Sequence, residues 1–307
     1  MSKPAKTYKE QIELLIGRGL TVKDVGFVEH CLAHHNYYRL SPYRFPFTVA
    51  GDADTFAPGA TFEDIWNLYV FDRELRHLIL EATKRVEISC RSRLAYELGH
   101  ALGPLSYIDA NNFLRPDIHV GTLARLKEEL DRSKEVFVGH HKNNLGMEWP
   151  PVWVIVEVAS YGSVSSLLAR VKDPKIRQAV ASTYGLDETT FCSLFHHLSI
   201  VRNTAAHHSR LWNRKFAVKF KLPRKKPAHL WENFHHEPEG ERDKGQKQER
   251  HIYNTLVLLI HLMSCIAPQS DWSHRLYRHL LTLNPRLYPN MGFPDDWRQR
   301  PIWHGFE

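Results

Sequence analysis

A chain of 307 residues, with 43% hydrophobic and 24% charged side chains, has an ordinary globular composition and enough surface to bury one large core or two joined ones. Its formal net charge of +7 suits a polyanionic partner, because cationic surface attracts phosphate and steers encounter. No run approaches about 18 apolar residues and MSKPAKTYKEQ lacks an apolar stretch, so a soluble cytoplasmic protein with no membrane partner is expected. Cys31, Cys90, Cys192 and Cys265 stand alone, without zinc-ligand spacing, and read as reduced core thiols.

Residues 5–17 and 22–34 read as short amphipathic helices. NYYRLSPYRFPF (36–47) cannot continue the second, because Pro42 and Pro46 interrupt it. Its Tyr37, Tyr38 and Tyr43 can stack bases, with Arg39 and Arg44 on phosphates, or pack as core; packing is the weightier reading. After a loop at 51–60, residues 62–98 contain neither Pro nor Gly and keep a helical apolar period. They form one long helix or two joined at a kink, with Asp72, Arg73, Glu74 and Arg76 as a solvated face. Gly99 is expected to end the helix. A charged helix follows over 120–138. Residues 152–171 read as one apolar helix, with Glu157 in the middle of its apolar face as a buried carboxylate wanting a cation, Arg202 or Arg210.

The densest polar chemistry lies in FCSLFHHLSIVRNTAAHHSRLWNR, residues 191–214, which read as a single helix capped near Asp187 and Thr189. Asn203 and His207 are four apart and lie about 40° apart around the axis; Arg202 and His207, five apart, differ by about 140°. The arginine's length or a local bend is needed to bring both to one phosphate. Such a trio suits RNA cleavage without metal. His207 can exchange a proton with a ribose 2′-OH or a leaving 5′-oxygen, Arg202 can clamp the phosphate, and Asn203 can orient either. The same residues also suit a structural helix with polar groups at a domain interface. Beyond them, 215–250 turns Pro- and Lys-rich and then highly charged, a candidate mobile excursion. Its basic half (Lys219, Lys221, Arg224, Lys225 and Lys226) suits either an RNA backbone or a solvated loop. Apolar helices return at 251–267 and 272–282, and the tail packs on Trp297 and Trp303. No Gly-rich phosphate loop, HExxH or acidic cluster is present, so no cofactor or metal is expected.

The run IVRNTAAHHSRLWNR (200–214) resembles the signature of the Abi family of bacterial abortive-infection proteins, the AbiD/AbiF-like group. The matching positions are Arg202, Asn203, His207, His208, Arg210, Leu211, Trp212 and Asn213. NYYRLSPYRFPF, FDRELRHLILEATKRVEISCRSRLAYEL (71–98) and PPVWVIVEVASYGSVSSLL (150–168) agree in order. The resemblance implies an all-α fold with a C-terminal HEPN-type helical bundle. That superfamily commonly acts as a metal-independent endoribonuclease through an arginine followed four to six residues later by a histidine. It assigns catalysis to Arg202, Asn203 and His207, with His208 and Arg210 supporting; Glu157 joins them as the buried carboxylate read from the residues. HEPN sites are usually composite, so a second set is sought in the N-terminal half, where Arg91, Arg93 and His100 are the candidates, or in a second copy of the chain forming a homodimer. The expected organisation is an N-terminal helical half, 1–145, against a HEPN-like domain, 146–307. The expected function is an anti-phage endoribonuclease cutting RNA by 2′-OH attack. The alternative is a non-catalytic RNA-binding protein that holds a structured non-coding RNA.

Overall fold

The computed structural model describes residues 4–141, 146, 148–223, 227–237, 247–248 and 250–306. The chain is all-α, and the strands among the described residues are two short antiparallel pairs. It forms two compact units, Met1–Leu75 with His279–Leu287 and Arg76–Arg278 with Tyr288–Glu307.

In the first unit, helix α1 (Tyr8–Gly17) opens on a reciprocal capping box. Thr7 Oγ1 accepts from the Glu10 amide at 3.2 Å while Glu10 accepts from the Thr7 amide at 2.6 Å. It packs on α2 (Val25–His35), burying Ile12, Leu15, Val28, Cys31 and Leu32. Asn36 then adopts a left-handed backbone, φ 53°, and turns the chain into the short α3 (Tyr37–Leu40). Two 3-10 turns at Pro42 and Pro46 lead to the hairpin of β1 (Thr48–Val49) and β2 (Asp52–Phe56). Tyr43 is core: its buried hydroxyl donates to Asp72 at 2.6 Å. Asp72 and Arg76 are therefore not a solvated face, because both are buried.

Helix α4 (Phe62–Leu102) is a single element of 41 residues, 62–75 belonging to the first unit and 76–102 to the second. Thr61 and Asp64 cap it reciprocally. Leu75, Ile79, Ala82, Val86, Cys90, Leu94 and Leu98 form its buried stripe, the three-and-four spacing that keeps one helical face dry. Ion pairs Glu81–Arg85, Glu87–Arg91 and Arg93–Glu97 flank the stripe at i, i+4. The helix runs through Gly99 instead of stopping there, with the Trp153 ring lying against that glycine.

The second unit continues with α5 (Pro116–Arg132), α6 (Val136–Gly139), α7 (Val152–Val158), α8 (Tyr161–Arg170), α9 (Pro174–Ser182), α10 (Glu188–Ala206), α11 (Ala228–Trp231), α12 (Tyr253–Ile266) and α13 (Trp272–Leu281), whose last residues fall in the first unit. Residues 152–171 are thus two helices. Ala159 is extended, and Ser160 caps the second by accepting from the Ser163 amide at 3.2 Å while donating its own amide to Glu129 at 3.0 Å. Helix α10 packs on α8 and α9, and α5 on α7 and α8. Helix α12 is buried on every side from Tyr253 to Met263, so its polar members are all partnered. His261 donates to Tyr184 O at 2.8 Å, Asn254 exchanges two bonds with the His235 backbone, and Thr255 meets His197. Part of the span 215–250, residues 224–226, 238–246 and 249, lies outside the described residues. Phe216, Phe220, Leu230 and Phe234 anchor its described parts in the core, because alternating aromatics supply the apolar area that the charges lack. Trp297 and Trp303 bury as expected within a cluster that includes Tyr253, Tyr277 and Phe293. Among the described residues no helix is long and apolar enough to cross a membrane.

Candidate functional site

Helix α10 starts where the sequence says. Asp187 is its N-cap, accepting from the Thr190 amide at 2.9 Å and from two threonine hydroxyls. Its end differs, because the helix stops at Ala206, not near Arg214. The stop is a Schellman motif. The His208 amide donates to Ala205 O at 3.0 Å and the Ser209 amide to Thr204 O at 2.9 Å, with His208 in the left-handed region at φ 57°. Position C′ usually carries Gly or Asn, so a histidine there gives the sequence no stop signal.

His207 is the C-cap residue, and its amide closes the last turn on Asn203 O at 2.9 Å. It is exposed, as is Asn203. Arg202 Nη1 donates to Asn203 Oδ1 at 3.0 Å, which draws the guanidinium around the helix toward the side that Asn203 shares with His207. Its other terminus, Nη2, lies 3.9 Å from Glu87 Oε2, and the side chain stays 39% exposed. Arg202 is therefore held from behind and open in front.

Glu87 is the buried carboxylate that the sequence reading sought in Glu157. Glu157 is exposed, whereas the Glu87 side chain is 10% exposed and accepts from Arg91 on the next turn of α4. Arg91 is fully committed, since it is buried and also donates to Val156 O; a phosphate has no access to it. One carboxylate between two guanidiniums leaves a surplus positive charge, and only Arg202 presents it outward. Tyr161 adds a second group that sequence reasoning missed. Its hydroxyl is fully buried without a hydrogen-bond partner. Burial, then Cys90, Glu87 and Tyr184, pushes its pKa well above the usual phenol value, while Arg202 pulls the other way. The sequence shows Glu87 and Arg91 four apart, an ion-pair spacing, but nothing in it points that carboxylate at Arg202. Tyr161, one more aromatic beside a serine cap, offered no signal.

The remaining candidates separate by location. Arg210 lies over the buried Trp212 ring at 5.9 Å, tying the chain just past α10. Arg93 bonds Glu97 at 2.6 Å and stands over Tyr96 at 5.3 Å; the exposed His100 ring lies 4.2 Å from that same tyrosine. On a continuous α4, Arg93 and His100 share a face about two turns apart, with Tyr96 between them. Lys219 and Lys221 are exposed, and the Lys221 amide donates to Ser193 on α10 at 2.8 Å, some 14 Å along that helix from Arg202. Arg224, Lys225 and Lys226 lie outside the described residues. Burial pushes the Cys192 thiol up to about 12, away from the thiolate form. Among the described residues no three His, Cys, Asp or Glu side chains gather as a metal site.

These features define an all-α protein with an arginine–asparagine pair and a histidine at the end of one helix, braced by a buried carboxylate on another. The model of the Abi-like protein family matches residues 30–213, well over half of the chain and closing on Asn213, and the chain belongs to that family. Membership points to an abortive-infection protein. No curated protein and no solved structure matches the chain.

Proposed function

We propose that this Abi-like protein is a HEPN-type endoribonuclease of an anti-phage abortive-infection system, cutting RNA by attack of a ribose 2′-OH on the adjacent phosphorus. The observation that carries the reading is the Arg202 guanidinium, braced by Glu87 and Asn203 yet open to solvent, on the helix that His207 caps. A guanidinium fixed in this way loses little freedom on meeting a phosphate and stabilises the charge that grows on its oxygens. His207 exchanges the proton, with either the attacking 2′-OH or the leaving 5′-oxygen. One histidine serves one of these roles, so the other falls to a second group, such as His100 or the same site of another copy. The basic balance of the chain and the exposed Lys219 and Lys221 support an RNA partner. Family membership supports the defence setting.

The competing reading is a protein that holds a structured RNA without cutting it, which the exposure of His207 also fits. The test is one variant read two ways. His207→Ala is expected to lower cleavage at least about 100-fold while RNA affinity changes less than about threefold. Cleavage absent from wild type, with tight binding intact, assigns the non-catalytic role instead.

A further inference from the structure

The first unit contains a feature the ribonuclease reading does not use, a cavity of about 1000 Å³ walled by α1, α2, α3 and the hairpin. Among its lining residues, Arg18 and Arg44 converge on the same two acceptors. Each donates to the Tyr37 hydroxyl at 3.1 Å, and they lie 2.8 and 3.4 Å from one oxygen of Asp54. Lys6 and Arg39 also line the cavity, where Asp54 is the sole carboxylate among the lining residues. The lining thus carries four cationic side chains and one carboxylate. Arginine forks in this arrangement match phosphate oxygens in shape as well as sign.

The rim has different chemistry. The left-handed Asn36 accepts from the Tyr38 amide at 2.9 Å and so fixes the turn. That turn carries Tyr37 inward to the arginines and leaves Tyr38 77% exposed at the mouth, with Tyr8 42% exposed among the same lining residues. An exposed phenol ring in a cationic lining offers a stacking face for a base. Gln11 Oε1, also in the wall, has no hydrogen-bond partner and calls for a donor, as a ribose hydroxyl or a base amino group supplies. A volume of this size takes a small organic ligand readily.

The geometry points to a nucleotide site in this cavity, with the phosphate on Arg18 and Arg44 and the base on Tyr38. The occupant is a free nucleotide or the phosphorylated end of an RNA chain, which share that chemistry. The site stands independently of cleavage at Arg202 and His207.

The test uses the full chain carrying His207→Ala, so that no RNA is cut, titrated calorimetrically with inorganic phosphate, AMP, and a ten-nucleotide RNA bearing either a 5′-phosphate or a 5′-hydroxyl. AMP is expected to bind more tightly than phosphate. Arg18→Gln is expected to weaken AMP about tenfold or more. Tyr38→Ala, at an exposed position that leaves folding intact, is expected to weaken AMP about tenfold but not phosphate. If the source is an RNA end, the 5′-phosphorylated oligonucleotide outbinds both AMP and its 5′-hydroxyl twin, an advantage that Arg18→Gln removes. If the source is a free nucleotide, AMP outbinds both oligonucleotides. AMP and phosphorylated RNA that fail to bind, or that bind with affinities unmoved by Tyr38→Ala and Arg18→Gln, overturn the proposal.

Discussion

Glu87 stands between a committed arginine and an open one, and that inequality sets what each does. Arg91 and Glu87 are both about nine-tenths buried, so removing the carboxylate strands a guanidinium in a low-dielectric core. Glu87→Ala is expected to cost about 3 kcal/mol in urea unfolding, whereas Glu87→Gln, which keeps an acceptor for Arg91, costs less. Arg202→Ala, at a side chain 39% exposed, should leave the unfolding free energy within about 0.5 kcal/mol of wild type. A large loss there would mean that Arg202 is a structural residue. A second residue-scale prediction concerns acid. His197 donates from Nδ1 to Val218 O at 2.8 Å and accepts from Thr255 at Nε2, 2.9 Å, so it is buried and neutral. Burial pushes its pKa down from 6.5 to about 4. The unfolded chain takes up this proton as pH falls through about 6.5 and the folded chain does not until about 4. Its contribution to stability is therefore whole above pH 6.5 and shrinks between 6.5 and 4, by up to about 3 kcal/mol. Burial likewise lowers His119 and His279 and adds to the same trend. Urea midpoints measured from pH 7 to 4.5 should fall, and His197→Gln, which reproduces both hydrogen bonds without the proton, should flatten the slope.

Helix α10 shows which features of an element are legible in sequence. Its start was readable, because an aspartate before a helical period has one strong use, accepting from exposed amides. Asp187→Ala is expected to cost about 1 kcal/mol in thermal or urea unfolding and to leave RNA cleavage unchanged, since Arg202 lies at the other end of the helix. Loss of cleavage without loss of stability would contradict that assignment. The end was not readable: the Schellman turn places His208, not glycine, in the left-handed region. The break between α7 and α8 was hidden for a related reason. Ser160 is a competent cap, but within a dense apolar run its signal is drowned by continuing hydrophobicity. In α4 the period was clear. What periodicity cannot reveal is which charged residue faces inward, so Asp72 and Arg76 read as surface until their tertiary partners are known. Glu157 was the converse error, a carboxylate inside an apolar sequence that lies on the exposed side of a helix one residue before its end. The Arg202–Asn203–His207 cluster itself was legible because it is local to one helix. Its brace crosses from another helix more than a hundred residues away, and no spacing announces that.

For the whole molecule, the surplus of positive charge has a measurable consequence. If RNA binding rests on about four phosphate contacts, raising salt from about 50 to 200 mM should weaken it roughly 50-fold. An affinity indifferent to salt would argue for a protein partner in place of RNA. Two compact units also allow two separate activities to be assayed. The cavity of the first and the arginine–histidine cluster of the second have no residues in common, and each has a variant that should leave the other intact.

The most direct test of the central claim is the chemistry of the cut ends. Purified protein, incubated with a defined RNA in the presence of EDTA, is expected to leave 2′,3′-cyclic phosphate and 5′-hydroxyl termini. Arg202→Ala and His207→Ala should leave the RNA whole. Ends bearing 3′-hydroxyl and 5′-phosphate, or cutting that needs a divalent ion and survives both substitutions, would contradict attack by the ribose 2′-OH at this site.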